Sequence, residues 1–230
     1  EPRLGVVFKL NETSSIKASY SKNVQYVQQA SNSTAGIPFS VWMPASPNVL
    51  PQISYQIATG YFKNFNNGMF QTSVEAYYKW IKNSVDFVDH AELILNKYLE
   101  GEVLTGKANG YGVEFFVKKA MGDFTGWISY TWSRAYKEIP GINDGNPYSS
   151  SYDRPNDFSI VMNYNLGEQF SFGLNWIYMT GQPVTFPVGR YEYGNVIVPV
   201  YSGRNGYRLP DYHRLDISAT WRDKDKPGKK

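Results

Sequence analysis

Apolar and polar residues alternate with a period of two along nine separate stretches of this chain, and any fold it adopts has to satisfy that spacing. A strand points successive side chains to opposite faces, so each stretch has one greasy side and one wet side. The pattern predicts strands over residues 2–10, 14–22, 51–65, 69–87, 105–120, 124–139, 152–166, 170–182 and 212–222. In the fourth, Phe70, Val74, Ala76, Tyr78 and Trp80 share one side, while Gln71, Ser73, Glu75 and Lys79 share the other. The eighth sets Phe170, Phe172, Leu174, Trp176 and Tyr178 against Ser171, Gly173 and Asn175; the ninth sets Leu215, Ile217, Ala219 and Trp221 against Arg214, Asp216, Ser218 and Thr220. Several stretches exceed the ~5–6 residues usual in soluble sheets and reach the ~9–11 that cross a bilayer obliquely. A soluble sandwich shows the same alternation, so the faces alone do not separate core from lipid.

The connections do separate them. Short polar turns at 11–13, 66–68, 122–123 and 167–169 alternate with long segments at 23–50, 88–104, 140–151 and 183–211. Short then long is the rhythm of an up-and-down barrel with tight periplasmic turns and extended outer loops, whereas compact soluble domains seldom carry several connections beyond ~12–15 residues. Aromatic residues, 17% of the chain, gather towards strand ends: Phe65, Phe70, Phe124, Trp127, Phe170 and Phe172 near the short turns, and Tyr78, Trp80, Tyr130, Trp132 and Tyr178 towards the long ones. Two headgroup regions select two such bands. The expected class is therefore all-β, an antiparallel up-and-down transmembrane β-barrel in an outer membrane. With the long loops outside, the first and the ninth strand both descend, so nine strands cannot close on themselves. The expectation is a fragment of a larger barrel, ending in a periplasmic turn at 223–230.

Other chemistries find little support. There is no Cys, hence no disulfide framework or thiolate metal site. The net charge is +3, and Lys224, Lys226, Lys229 and Lys230 crowd the last seven residues, so no basic face for nucleic acid emerges. No stretch approaches the ~18–20 apolar residues of a membrane helix, and Glu1-Pro2-Arg3 is no signal peptide. His90 and His213 each lack a second ligand at metal spacing. Gly110-Tyr111-Gly112 lacks the third glycine and the helix of a dinucleotide fingerprint. Asp223-Lys224-Asp225-Lys226-Pro227-Gly228 has a proline where a calcium loop needs an oxygen ligand, and Asn143-Asp144-Gly145-Asn146 reads as a turn. The pairs Glu75/Lys79, Glu114/Lys118 and Arg214/Asp216 share the polar side and are read as a solvated salt-bridge ladder or a contact surface rather than a catalytic pair. No enzyme, cofactor or metal site is expected.

Several segments also resemble a known family. Glu1-Pro2-Arg3-Leu4 running into Lys9-Leu10-Asn11-Glu12 and Ser15-Ile16-Lys17-Ala18-Ser19-Tyr20-Ser21 looks like a descending strand, turn and ascending strand of TonB-dependent receptors. So do Pro51-Gln52-Ile53-Ser54, Gly110-Tyr111-Gly112-Val113-Glu114 and Tyr152-Asp153-Arg154-Pro155-Asn156-Asp157. The clearest match, Arg204-Asn205-Gly206-Tyr207-Arg208-Leu209-Pro210-Asp211-Tyr212-His213-Arg214-Leu215-Asp216, resembles the loop and strand shortly before the C-terminus of that family. The resemblance spans the chain in order, including the branch that often carries an N-terminal carboxypeptidase-regulatory-like domain. It implies a barrel of about 22 strands around a plug, with residues 1–230 supplying nine strands and lacking the plug and the last two strands. The implied partners are outer-membrane lipid, the protein's own plug and remaining strands, TonB through an absent N-terminal region, and a surface lipoprotein. The implied function is active import of a glycan, peptide or metal chelate, against the alternative of a passive porin or adhesin barrel. Candidate ligand contacts in the outer loops are Trp42, Tyr148, Tyr152, Arg154, Tyr191, Tyr193, Tyr201, Arg204 and Tyr207, since aromatic faces with a few charged donors suit all three cargoes. Loop packing or headgroup anchoring is the alternative for each ring. Glu75, Lys79, Glu114, Lys118, Arg214 and Asp216 are expected to face the lumen or the plug.

Overall fold

The computed structural model describes residues 1–32, 39–89 and 91–223. His90, the four C-terminal lysines and nearly all of the expected turn at 223–230 lie outside the described residues. Nine long strands hydrogen-bond side by side into one antiparallel sheet: β1 (Arg3–Asn11), β2 (Ser14–Gln25), β5 (Gln52–Phe65), β6 (Phe70–Phe87), β7 (Val103–Lys119), β8 (Phe124–Glu138), β10 (Asn156–Leu166), β11 (Phe170–Met179) and β16 (Tyr212–Trp221). Each pairs with its neighbour along the chain, giving the meander the connections predict. Among the described residues β1 and β16 each pair on one side only, so the sheet is an open segment of wall.

The register makes the alternation continuous from strand to strand. One cross-strand line runs Phe8, Ile16, Tyr61, Val74, Phe115, Tyr130, Phe158, Tyr178, His213. A second ends Gly126, Met162, Leu174, Ile217. Rings stack along this face, with Tyr78 and Tyr111 centred 6.0 Å apart and Phe115 and Tyr130 6.2 Å apart. Such cross-strand aromatic pairs stabilise a sheet by roughly 0.2–1 kcal/mol each. Nothing covers the face: Leu4, Phe8, Ile57, Phe172, Ile217 and Trp221 are all exposed. A water-soluble sheet would bury these side chains.

The buried apolar residues lie elsewhere. Ala30, Met43, Val49, Val85, Phe87 and Leu93 form one cluster, and Ile139, Ile142 and Tyr148 another. Both belong to the long-loop end. The long connections are therefore built rather than structureless: they carry the hairpins β3 (Val27–Asn32) with β4 (Phe39–Pro44) and β13 (Pro187–Tyr193) with β14 (Val196–Tyr201), the short pair β12 (Pro183–Val184) with β15 (Tyr207–Arg208), and β9 (Tyr148–Ser149) on the end of β8. Two 3₁₀ turns, at Leu99–Glu102 and Asn143–Gly145, complete them. The strand expected over 14–22 runs on to Gln25 and the one expected from 105 starts at Val103, and two further boundaries shift for local reasons. The strand expected from residue 152 starts at Asn156, because Asp153 N–H closes a turn onto Ser150 and Pro155 has no N–H for the ladder. The strand expected to reach 182 stops at Met179, because Gly181 N–H is taken by the Asp211 carboxylate.

Candidate functional site

The loop end is tied into one body by two buried carboxylates. A bulge in β6 between Lys82 and Ser84, with Asn83 in the left-handed region at φ 58°, carries the strand past the sheet. It places Asp86 where Tyr148 Oη donates to Oδ2 at 3.0 Å and Lys137 Nζ at 3.1 Å. Burial, then the negative charge of Asp86, pushes the Tyr148 phenol well above its ordinary value, so it stays a neutral donor. Asp153, with its side chain fully buried, accepts Ala135 N–H at 2.7 Å, pairs with Arg134 at 3.5 Å and receives Arg208 Nη2. Arg204 reaches between loops, donating to the Phe87 carbonyl and pairing with Asp89 at 3.4 Å. Asn205 Nδ2 donates to Ser149 O at 2.6 Å.

Above this floor is a cleft of about 760 Å³. Its walls are Val88 and Asp89, Asn143 and Asp144, and the inner side of the β13–β14 hairpin, which presents Tyr191 and Tyr201. That hairpin turns on Gly194 and Asn195, both at positive φ (56° and 67°), the two-residue turn that matches strand twist. Two carboxylates, two phenol rings and a guanidinium at the floor give a site that can hydrogen-bond and stack on a polar ligand.

The nine expected ligand contacts separate by position. Tyr191, Tyr201 and Arg204 line the cleft, with Arg204 itself buried. Tyr193 stands exposed at the hairpin tip. Trp42 is exposed beside a second groove of about 390 Å³ that it shares with Tyr98. Tyr152 is exposed and donates to Gln29 Oε1, and Tyr207 lies against Phe186 with centroids 6.0 Å apart. Arg154 is half-buried and turned to the Met179 sulfur. Tyr148 is withdrawn entirely, 3% exposed, and its hydroxyl is spent on Asp86. Loop packing thus accounts for the burial of Tyr148 and Arg204. Asp86 and Asp89 carry no signal in the sequence, while Asp144 and Asp153 stand out there only as part of a turn and of a family-like segment; the one trace of the setting of Asp86 is Lys82-Asn83-Ser84, where the alternation breaks.

On the polar face of the sheet Glu75 and Glu114 lie directly opposite each other. Arg214 forms a forked pair with Asp216, with Nε and Nη2 both 3.0 Å from Oδ1. Glu75/Lys79 and Glu114/Lys118 form no ion pair among the described residues, contrary to the expected ladder. The reason is distance: a four-residue step along a strand spans about 13 Å, whereas the two-residue step from Arg214 to Asp216 spans about 7 Å. His213 sits on the apolar face opposite Tyr178. Among the described residues no group of three His, Cys, Asp or Glu is placed to hold a metal ion, and no helix is long and apolar enough to cross a membrane.

The family model for the TonB dependent receptor-like β-barrel matches residues 1–226. The chain belongs to this family. Its place is the bacterial outer membrane, and an exposed apolar face with long loops at one end is what up-and-down barrels there present to lipid and to the outside. Solved structures agree in fold. The ferripyoverdine receptor of Pseudomonas aeruginosa superposes with a TM-score of 0.65 at 15% identity, over 98% of this chain and 27% of that one. The ferric-catecholate import receptor Fiu of E. coli gives 0.62 at 17%, over 97% and 28%. The siderophore receptor PirA of Acinetobacter baumannii gives 0.57 at 14%, over 97% and 35%. The chain thus spans between 27% and 35% of the length of these receptors. No curated protein matches the sequence.

Proposed function

We propose that this chain is the C-terminal wall segment, lacking the plug and the last two strands, of an energy-coupled outer-membrane importer, and that the cleft between Asp89, Asp144, Tyr191 and Tyr201 is part of its ligand-capturing surface. The observation that carries the reading is the contrast within the family fold: a wall whose inner face is mostly polar, broken by a few apolar side chains such as Phe62, Phe116 and Trp127, capped by loops tied through Asp86 and Asp153 around an open polar cleft. A passive pore has no need of a pre-formed capture site, whereas a scarce cargo is taken up only if it is first held. Metal chelates lead the three cargo classes, on the ground that the similar receptors are named for ferric siderophores; glycans and peptides follow. The plug would rest on the polar face at Glu75, Lys79, Glu114, Lys118, Arg214 and Asp216, TonB would act through the N-terminal region, and a surface lipoprotein is a candidate partner at the exposed loops. Trp42, Tyr152, Tyr193 and Tyr207 stay candidate contacts at the loop surface, and Arg154 below them.

Uptake of a labelled ferric chelate by cells carrying the full-length protein tests the reading. Import should vanish when TonB is deleted or the proton gradient collapsed, and Tyr191→Ala with Tyr201→Ala should weaken binding about tenfold while the protein stays folded. Uptake indifferent to TonB would establish the passive-pore alternative.

A further inference from the structure

Lysines on a lipid-facing surface are costly unless they sit at headgroup depth. Lys22, Lys82 and Lys107 stand on the outward face at the extracellular ends of β2, β6 and β7. On β6, Lys82 is twelve residues above Phe70, the ring beside the periplasmic turn. At about 3.3 Å per residue and a tilt of about 40°, that is a height of about 30 Å, which places Lys82 at the outer headgroups.

These lysines are unusually placed for each other. Lys82 lies directly opposite Lys107 in the ladder, a like-charge pairing that destabilises a sheet when nothing negative intervenes. Lys22 Nζ and Lys82 Nζ approach the same Tyr55 ring, at 5.7 and 5.8 Å from its centre. Among the described residues none of the three ammonium groups forms an ion pair, although Glu138 faces Lys107 in the register. At the periplasmic end, by contrast, Lys119 Nζ is used by its own turn, donating to the Met121 and Phe124 carbonyls at 2.9 and 2.6 Å.

Two hollows adjoin the lysines. A groove of about 540 Å³ is lined by Tyr78, Trp80, Lys82, Lys107, Asn109 and, as its one carboxylate, Glu138, and the side-chain oxygen of Asn109 is buried without a hydrogen-bond partner. A buried acceptor in that state calls for a donor from outside. Below it runs an apolar furrow of about 530 Å³, where Val6, Ala18, Thr59 and Ala76 fall on one cross-strand line alongside the line that carries the taller Tyr20 and Tyr78. Tyr78 borders both hollows.

We propose that groove and furrow together bind one phosphate-bearing glycolipid of the outer leaflet. Lys82 and Lys107, with Lys22 beside them, hold the phosphate; the Asn109 oxygen accepts from a sugar hydroxyl; one acyl chain lies in the furrow. The occupant is a lipid rather than a soluble anion because the furrow opens only to hydrocarbon, and the charges stand at the height where lipid phosphates lie.

The test uses the full-length protein, stripped of lipid in detergent and titrated with lipopolysaccharide while bound lipid is counted by native mass spectrometry. Lys82→Gln with Lys107→Gln should weaken binding on the order of tenfold, dephosphorylated lipid should bind the unaltered protein as poorly, and Ala76→Phe, which fills the furrow without touching charge, should weaken it severalfold. Lys63→Gln, at the periplasmic end of the same face, is the control and should bind normally. Equal binding by the double variant, equal loss in the Lys63 control, or displacement of the lipid by millimolar inorganic phosphate would each overturn the proposal. Heat-modifiable migration on a gel reports that every variant is a folded barrel.

Discussion

Arginine placed at Leu174 should destabilise the folded barrel by about 2–4 kcal/mol, and arginine at the next residue, Asn175, should cost far less. Leu174 pairs with Met162 on one side and Ile217 on the other, all on the apolar face. It stands four residues above Phe170 on β11, which at about 3.3 Å per residue and about 40° of tilt is about 10 Å above the inner aromatic band, near the bilayer midplane. Asn175 pairs with Val161 and Asp216, so a guanidinium there stays on the polar face and gains a carboxylate neighbour. A soluble sandwich core would also reject arginine at Leu174. What separates lipid from core is depth: Phe170→Arg lies at the interface and should cost only about 0–1 kcal/mol, whereas Ile217→Arg, level with Leu174, should match it. Folding of the full-length protein into lipid vesicles across a urea gradient measures all four. Equal costs at Leu174 and Asn175, or a cost at Phe170 as large as at Leu174, would refute the assignment of the apolar face to lipid.

Asp153→Ala removes the partner of Arg134 and Arg208 and should loosen the loops by about 3 kcal/mol, the low end for a broken buried pair because both guanidinium groups keep some access to water; faster loop proteolysis with unchanged barrel migration is the readout. Tyr148→Phe should cost the loops about 1–2 kcal/mol through the lost donor to Asp86. Because the folded phenol holds its proton more tightly than the unfolded one, the Tyr148 contribution is complete below about pH 10 and fades above it, so loop protection measured by hydrogen exchange should fall at high pH in the unaltered protein and less steeply in the Phe variant. Gly126→Ala puts a methyl into the Val161 carbonyl at a positive φ of 152°; a cost of about 3 kcal/mol or more and loss of the heat-modifiable form are expected.

The wall was legible in the sequence because its physics is local. Strand period, ring placement and turn residues such as Asn66-Asn67-Gly68, where all three adopt positive φ, are set within a few positions, and the nine strands fall where the alternation puts them. The loop end was not legible, because its order comes from contacts between distant segments: Asp86 meets Tyr148 across 62 residues and Arg204 meets Phe87 across 117. Tyr148 and Arg204 looked like ligand contacts for the same reason that they serve as ties, since a ring with a hydroxyl and a forked cation suit a buried carboxylate or carbonyl as well as a bound solute. Tyr191 and Tyr201 share that chemistry and differ only in lining the open cleft, which no periodicity encodes.

The two halves also keep their stability in different solvents. Within the membrane the strands bury nothing against one another beyond cross-strand neighbours, and the backbone ladder is held because hydrocarbon offers no other partner to an N–H or carbonyl. Outside it, the loops follow the rules of a small soluble protein, with Val49, Val85, Phe87, Ile139 and Ile142 almost wholly removed from water and buried charges satisfied in pairs. The bulge at Asn83 is the joint between these regimes, since one extra residue there turns β6 from a wall strand into a loop support. A substitution beyond that joint can therefore reshape the cleft without disturbing the ladder below, and this separation lets one barrel wall carry loops suited to different cargoes.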